Sequence, residues 1–152
     1  MKKYGIIAIG ILALAAIIIC TIFIGRLTPQ TVEGVKSALI EKGYYSDKHY
    51  KDLTLNGIST MANFGNGLNI TLYDYGKKKD ACDEMFDLMI ETYKNDTRLT
   101  RKKHKNYTIC EYSNETNYWI ISRVDNTILL VIGAKEDADQ TKEFAKGIGY
   151  YK

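Results

Sequence analysis

The chain has 152 residues, with 21 Lys and Arg against 18 Asp and Glu, an apolar fraction of 45%, 12 Gly and a single Pro. That length bounds it to one modest domain, and the balance of charged and apolar residues excludes a wholly disordered, collagen-like or Pro-rich chain. Three Cys without a CxxC pair are too few for a disulfide-built scaffold and form no zinc pattern.

The charges are unevenly placed. Lys2, Lys3 and Arg26 flank an apolar run, and no acid precedes Glu33. Beyond those three cations the remaining 18 match the 18 acids. The net charge of +3 therefore belongs to the flanks of the run and is no nucleic-acid footprint.

Tyr4 to Ile24 is a run of 21 residues without a charged side chain. As a helix it would be about 31 Å long, close to the roughly 30 Å hydrocarbon core of a bilayer. Lipid offers the backbone no hydrogen-bond partners, so such a run must be helical. Two Lys on one side against Arg26 on the other orient it by the positive-inside bias. The predicted organisation is a cytoplasmic stub at 1–3, a transmembrane helix at 4–25 and an extracytoplasmic domain at 29–152. A cleavable signal peptide fits less well, because its apolar region spans roughly 7–15 residues and Ala13-Leu14-Ala15 lies inside this run. Lipidation of Cys20 needs a small preceding residue, and Ile19 is large. Ala16 and Cys20 form a small-xxx-small pair without specifying a dimer.

Thr28-Pro29 reads as an N-cap followed by Pro at the first helical position, and Val32, Val35, Leu39 and Ile40 recur at helical spacing up to Gly43. A helix over 29–42 follows. Residues 44–51 read as a Tyr-rich connection. Leu53 to Met61 has strand character broken by Asn56-Gly57, and Gly65-Asn66-Gly67 is a second turn. From Leu68 to Tyr75 apolar and polar residues alternate. Residues 77–93 carry an apolar helical stripe of Cys82, Met85, Phe86, Met89, Ile90 and Tyr93, with Asp80, Glu84, Asp87 and Glu91 on another face. A basic loop is expected from Lys94 to Lys105. Three strands follow, at 107–112, 118–124 and 127–134, with Asp125-Asn126 as the turn that pairs Val124 with Thr127. That pairing puts Trp119, Ile121, Leu130 and Ile132 on one face and Ile120, Leu129, Val131 and Ser122 on the other. Both faces are mostly apolar, so this hairpin should be central and covered twice. A last helix is expected at 137–147. The predicted fold class is α+β: a small two-layer domain with an antiparallel sheet and about three helices behind a single N-terminal transmembrane helix.

Catalytic signals are weak. His49 and His104 both lie in polar contexts, no Ser sits in a GxSxG elbow, and no HExxH, calcium loop or phosphate cradle occurs. No cofactor or metal is predicted. Cys82 and Cys110 could pair if the domain lies outside the cytoplasm. Arg98, Arg101, Lys102, Lys103 and Lys105 concentrate positive charge, which attracts anionic lipid or polymer. Tyr44, Tyr45 and Tyr50 cluster, and Tyr suits interfaces with its rigid body and polar tip. The composition resembles that of a bacterial envelope protein. The expectation is a single-pass cell-membrane protein that displays a non-catalytic binding domain. Its partners would be the lipid bilayer and another envelope protein or an anionic polymer, not nucleic acid. The alternatives are a small envelope hydrolase or transferase, or a structural subunit of a membrane complex.

Overall fold

The computed structural model describes residues 25–152, apart from positions 94 and 96 and the side chains of residues 97–99. The predicted membrane span and the Ala16–Cys20 pair lie outside the described residues. Among the described residues no helix is long and apolar enough to cross a membrane.

The chain order is α1 (Val32–Glu41), β1 (Lys51–Leu55), β2 (Ile58–Gly65), β3 (Leu68–Asp74), α2 (Lys79–Thr92), β4 (Thr97–Lys103), β5 (Tyr107–Ser113), β6 (Asn117–Val124), β7 (Thr127–Ala134), a 3-10 turn (Lys135–Asp137) and α3 (Ala138–Gly147). The strands form one seven-stranded sheet in the order β1-β2-β3-β7-β6-β5-β4. Every neighbouring pair is antiparallel. Two meanders, β1–β3 and β4–β7, are thus joined where β3 pairs with β7. α2 carries the chain from β3 to the far edge at β4.

The turns fix the register. Asn56 and Gly57 take φ of 52° and 71°, the positive pair that a tight two-residue hairpin demands, and Leu55 pairs with Ile58. Asp125 at φ 48° closes β6–β7 with Val124 opposite Thr127, as the sequence predicts.

Each face of the sheet has its own core. Met61, Leu68, Ile70, Leu72, Ile120, Leu129 and Val131 pack with Val35 and Leu39 of α1 and Phe144 and Ala145 of α3. Cys110, Tyr112, Trp119, Ile121 and Ile128 pack with Cys82 and Phe86 of α2. The α+β class therefore holds, with an antiparallel sheet and three α-helices, but the domain has three layers instead of the expected two. The reason lies in β6 and β7, which are apolar on both sides, so one layer of helices would leave a greasy face in water.

Two local expectations are corrected. The first helix starts at Val32, capped by Thr31, whose Oγ1 accepts a hydrogen bond from Gly34 N at 3.1 Å. Thr28-Pro29 lies outside it, because Gln30 N is held by Tyr150 Oη at 3.2 Å, a contact across the whole domain. The basic stretch expected as a loop is mostly strand β4. It pairs with β5 through Arg101–Cys110, Lys102–Ile109 and Lys103–Thr108, with a register irregularity between Arg98 and Thr100. Cations on an edge strand obscure the alternation that marks a strand, and they also discourage edge-to-edge aggregation.

Candidate functional site

The entry of the chain into the domain is tied down from several sides. Leu27 is buried in the core that α1 and α3 cover. Its carbonyl accepts a hydrogen bond from Asn106 Nδ2 at 2.9 Å, and the same amide reaches Asp125 Oδ2 at 3.2 Å. Arg26 Nη2 stands 3.8 Å from Asp125 Oδ1, and Lys152 Nζ donates to the Arg26 carbonyl at 3.3 Å. Gly25, at φ 88°, lies so close to the His104 imidazole that a Cβ there would stand 3.3 Å from Nε2. Four separate chain regions thus meet at one end of the sheet: the root at 25–27, the β4–β5 turn, the β6–β7 turn and the C-terminal Lys152.

Cations crowd this end. Arg101, Lys102, Lys103 and Lys105 are exposed; Lys102 Nζ donates to the Lys152 carbonyl, and Lys152 in turn reaches Arg26 at the root. Aromatic rings lie beneath Lys102 and Lys152. Lys102 Nζ lies 4.5 Å from the Tyr151 ring centre and Lys152 Nζ 6.0 Å from that of Tyr107, while His104 stacks on Tyr107 at 5.0 Å.

Behind these rings sits Glu111, only 3% exposed. It accepts hydrogen bonds from Tyr118 Oη and, at 2.9 Å, from Tyr151 Oη, with Lys142 Nζ at 3.9 Å. Burial, then the bond to Glu111, pushes the Tyr151 phenol up to about 12, and the same causes raise Tyr118. Both phenols therefore stay protonated donors across the physiological range, and the carboxylate keeps both partners. Tyr150 completes the clamp: it is buried, and its Oη lies 2.6 Å from Thr127 Oγ1.

The predicted site residues divide into two groups. Arg101, Lys102, Lys103 and Lys105 belong to the cationic end, and Arg98 lies on the same edge strand. Tyr44, Tyr45 and Tyr50 do not join them. Tyr44 packs edge-on against Phe144 at 5.1 Å and its Oη accepts from Gln140 Nε2, which makes it a support for α3. Tyr45 and Tyr50 lie 5.2 Å apart with Lys36 Nζ over both rings, and Tyr50 Oη donates to Asp52 Oδ2 at 3.0 Å. Tyr50 leads into β1, at the opposite edge from β4. Six interstrand steps of about 4.8 Å separate those edges, roughly 29 Å.

Cys82 and Cys110 are buried in one cluster beneath α2, as thiols that are not bonded to each other in this structure. Burial pushes the Cys82 thiol up to about 11, although Arg123 and Lys79 pull against it. His49 is exposed and sits edge-on to Phe64 at 6.0 Å, far along the chain from His104. Among the described residues no three His, Cys, Asp or Glu side chains gather as a metal site.

Sequence reasoning missed Glu111, Asn106 and Lys152. The one available signal was a carboxylate inside the otherwise apolar Ile109–Tyr112 strand.

No protein-family model matches this chain, and no curated protein is similar to it. Among solved structures it is similar to a GTP-binding regulator from Thermotoga maritima, with a TM-score of 0.53 and 10% identity over 80% of this chain and 88% of that one. At that identity the likeness shows the fold alone.

Proposed function

We propose that the chain is a membrane-tethered display module, with residues 4–25 in the bilayer and residues 29–152 as a non-catalytic interaction domain on the extracytoplasmic side. The cationic end of the domain rests on anionic lipid headgroups. The observation that supports this is the meeting of Arg26, Lys102 and Lys152, with Gly25 beside the His104 that Lys103 and Lys105 flank in sequence, at the point where the apolar N-terminal run enters the fold. Because Asn106 and the Tyr150–Lys152 clamp hold residues 26–30, little slack separates a bilayer from these cations. A Lys or Arg near an anionic surface gains about 1 kcal/mol, and the effect fades beyond a Debye length of about 8 Å. Cations carried on a folded domain have little say in orientation compared with those beside a span, so Lys2 and Lys3 still set the topology.

The reading is tested with the full chain in nanodiscs. A nitroxide placed by Lys105→Cys should relax faster with nickel-chelating headgroups than one placed by Glu115→Cys in the β5–β6 turn. The difference should shrink in high salt and in zwitterionic lipid. In cells, Glu115→Cys should react with an impermeant maleimide from outside. Recovery of the full-length protein in the soluble fraction, or labelling only after permeabilisation, refutes the reading.

A further inference from the structure

The two edges of the sheet are built differently. β4 carries a register irregularity and a row of cations, both of which discourage another strand from pairing there. β1 has neither protection. Its register runs without a break from Lys51 to Leu55, it has no Pro, and its one cation, Lys51, stands at the end of the strand. All five residues of β1 are exposed, Leu53 by 65% and Leu55 by 63%.

The hairpin geometry says which backbone groups are open. In a two-residue hairpin the closing pair exchanges hydrogen bonds, so Leu55, Leu53 and Lys51 bond to β2. The N–H and C=O groups of Asp52 and Thr54 therefore point away from the sheet, available to another strand.

The side chains flanking that open row are sorted by face. On the α2 side, Leu53, Leu55, Ile58, Tyr73, Tyr75 and Met85 line an apolar concavity of about 310 Å³. On the α1 side, Glu33, Asp52 and Asp74 share a concavity of about 470 Å³ with Thr31, Thr54 and Ser59, and no cation lines it. A strand laid along β1 would send alternate side chains into these two environments.

We propose that β1 is a docking edge for an extended peptide segment of a partner protein in which aliphatic and basic residues alternate. Backbone pairing with Asp52 and Thr54 holds the strand. The aliphatic set enters the Leu53–Met85 concavity, and the basic set faces Glu33, Asp52 and Asp74. Strand addition of this type takes affinity from the main chain and specificity from alternate side chains. The inference does not depend on the lipid contact, since it concerns the opposite edge of the sheet.

The test uses the full chain in zwitterionic detergent and fluorescein-labelled peptides of alternating Lys and Val, with Glu-Val and Ser-Val peptides as controls. Anisotropy should show the Lys-Val peptide binding at least about tenfold more tightly than either control, with an advantage over Glu-Val that shrinks as salt is raised. Thr54→Pro removes one outward N–H while leaving the β1–β2 ladder intact, and it should weaken binding by about tenfold or more. Leu53→Ser, at an exposed position, should weaken it as well and decides the matter if the Pro variant misfolds. Equal binding of the Lys-Val and Glu-Val peptides, or binding indifferent to both substitutions, overturns the proposal. So does peptide-independent self-association that Thr54→Pro abolishes, because the occupant would then be a second copy of this chain.

Discussion

Replacing Glu111 by Ala should destabilise the domain by about 3 kcal/mol. The carboxylate is the common acceptor for Tyr118 and Tyr151, and it faces Lys142. Tyr118 is 1% exposed, so its hydroxyl would lose its partner where water cannot replace it, at about 1–3 kcal/mol. Tyr151 is only half-buried and can turn to solvent, so its loss is closer to about 1 kcal/mol. Removing the buried charge also relieves its desolvation, which offsets part of the sum and keeps the total near 3 instead of about 4 kcal/mol. For a domain of this size that is a fall in melting temperature of roughly 10 °C.

Near-ultraviolet circular dichroism of the full chain in detergent would follow the melt. The companion variant is Glu111→Leu with Tyr118→Phe, which removes acceptor and buried donor together and should recover more than half of the loss. A shift below about 3 °C for Glu111→Ala, or a double variant as unstable as the two single losses added, would refute the claim that this carboxylate organises the clamp.

The other predictions concern backbone, thiols and pH. Gly65→Ala should lower the urea midpoint by an amount worth about 2–3 kcal/mol, because its Cβ would stand 2.0 Å from the Tyr44 carbonyl oxygen that Asn63 Nδ2 already holds at 2.8 Å; an unchanged midpoint would show that the connection yields. Denaturation without reductant followed by alkylation should modify both Cys82 and Cys110, and a mass showing neither modified would establish the disulfide in their place. Stability should be flat to about pH 9 and fall between about 9 and 12. Cys82 and Tyr151 titrate higher in the fold, at about 11 and about 12, than at their ordinary 9.0 and 10.0. A raised value contributes stability that is complete below the ordinary pKa and lost on passing the raised one, so a urea midpoint that rises from pH 8 to 11 contradicts the assignment.

Much of the fold was legible because turns and periodicity are local. Asp125-Asn126 set the pairing of Val124 with Thr127, and from that pairing alone the two apolar faces of β6 and β7 could be assigned. Cys82, Phe86 and Met89 lay at helical spacing and do face the sheet. The failures came where a distant contact decided the outcome. Thr28-Pro29 carries the start signal in the sequence, yet Thr31 caps the helix, with Gln30 N held by Tyr150 from the far end of the domain. The helices split between two faces because the sheet is central, which the local pattern implied, but their assignment depended on the joining of β3 to β7. β4 was hidden because its side chains protect an edge and do not fill a core. At the site, the cations were visible as a run that Asn106 directly follows, while their neighbours Arg26 and Lys152 lie 72 and 47 residues from its two ends at Arg98 and Lys105.

The same topology explains why the Tyr44–Tyr50 cluster and the Lys/Arg group, both candidate binding residues in the sequence, are separate. A domain that begins beside the β4–β5 turn at Gly25 brings residues 25–27 and Lys152 together on the side of the sheet carrying the cationic strand. The β1–β3 meander is then appended on the far side of β7, and it takes Tyr50 and the open Leu53–Leu55 edge with it. Charge at one edge and exposed apolar strand at the other are therefore consequences of a single connection, the antiparallel joining of β3 to β7. They should be separable by mutation: changes along β1 leave the root contacts of Asn106 and Lys152 untouched, since β1 lies at the opposite edge of the sheet from β4.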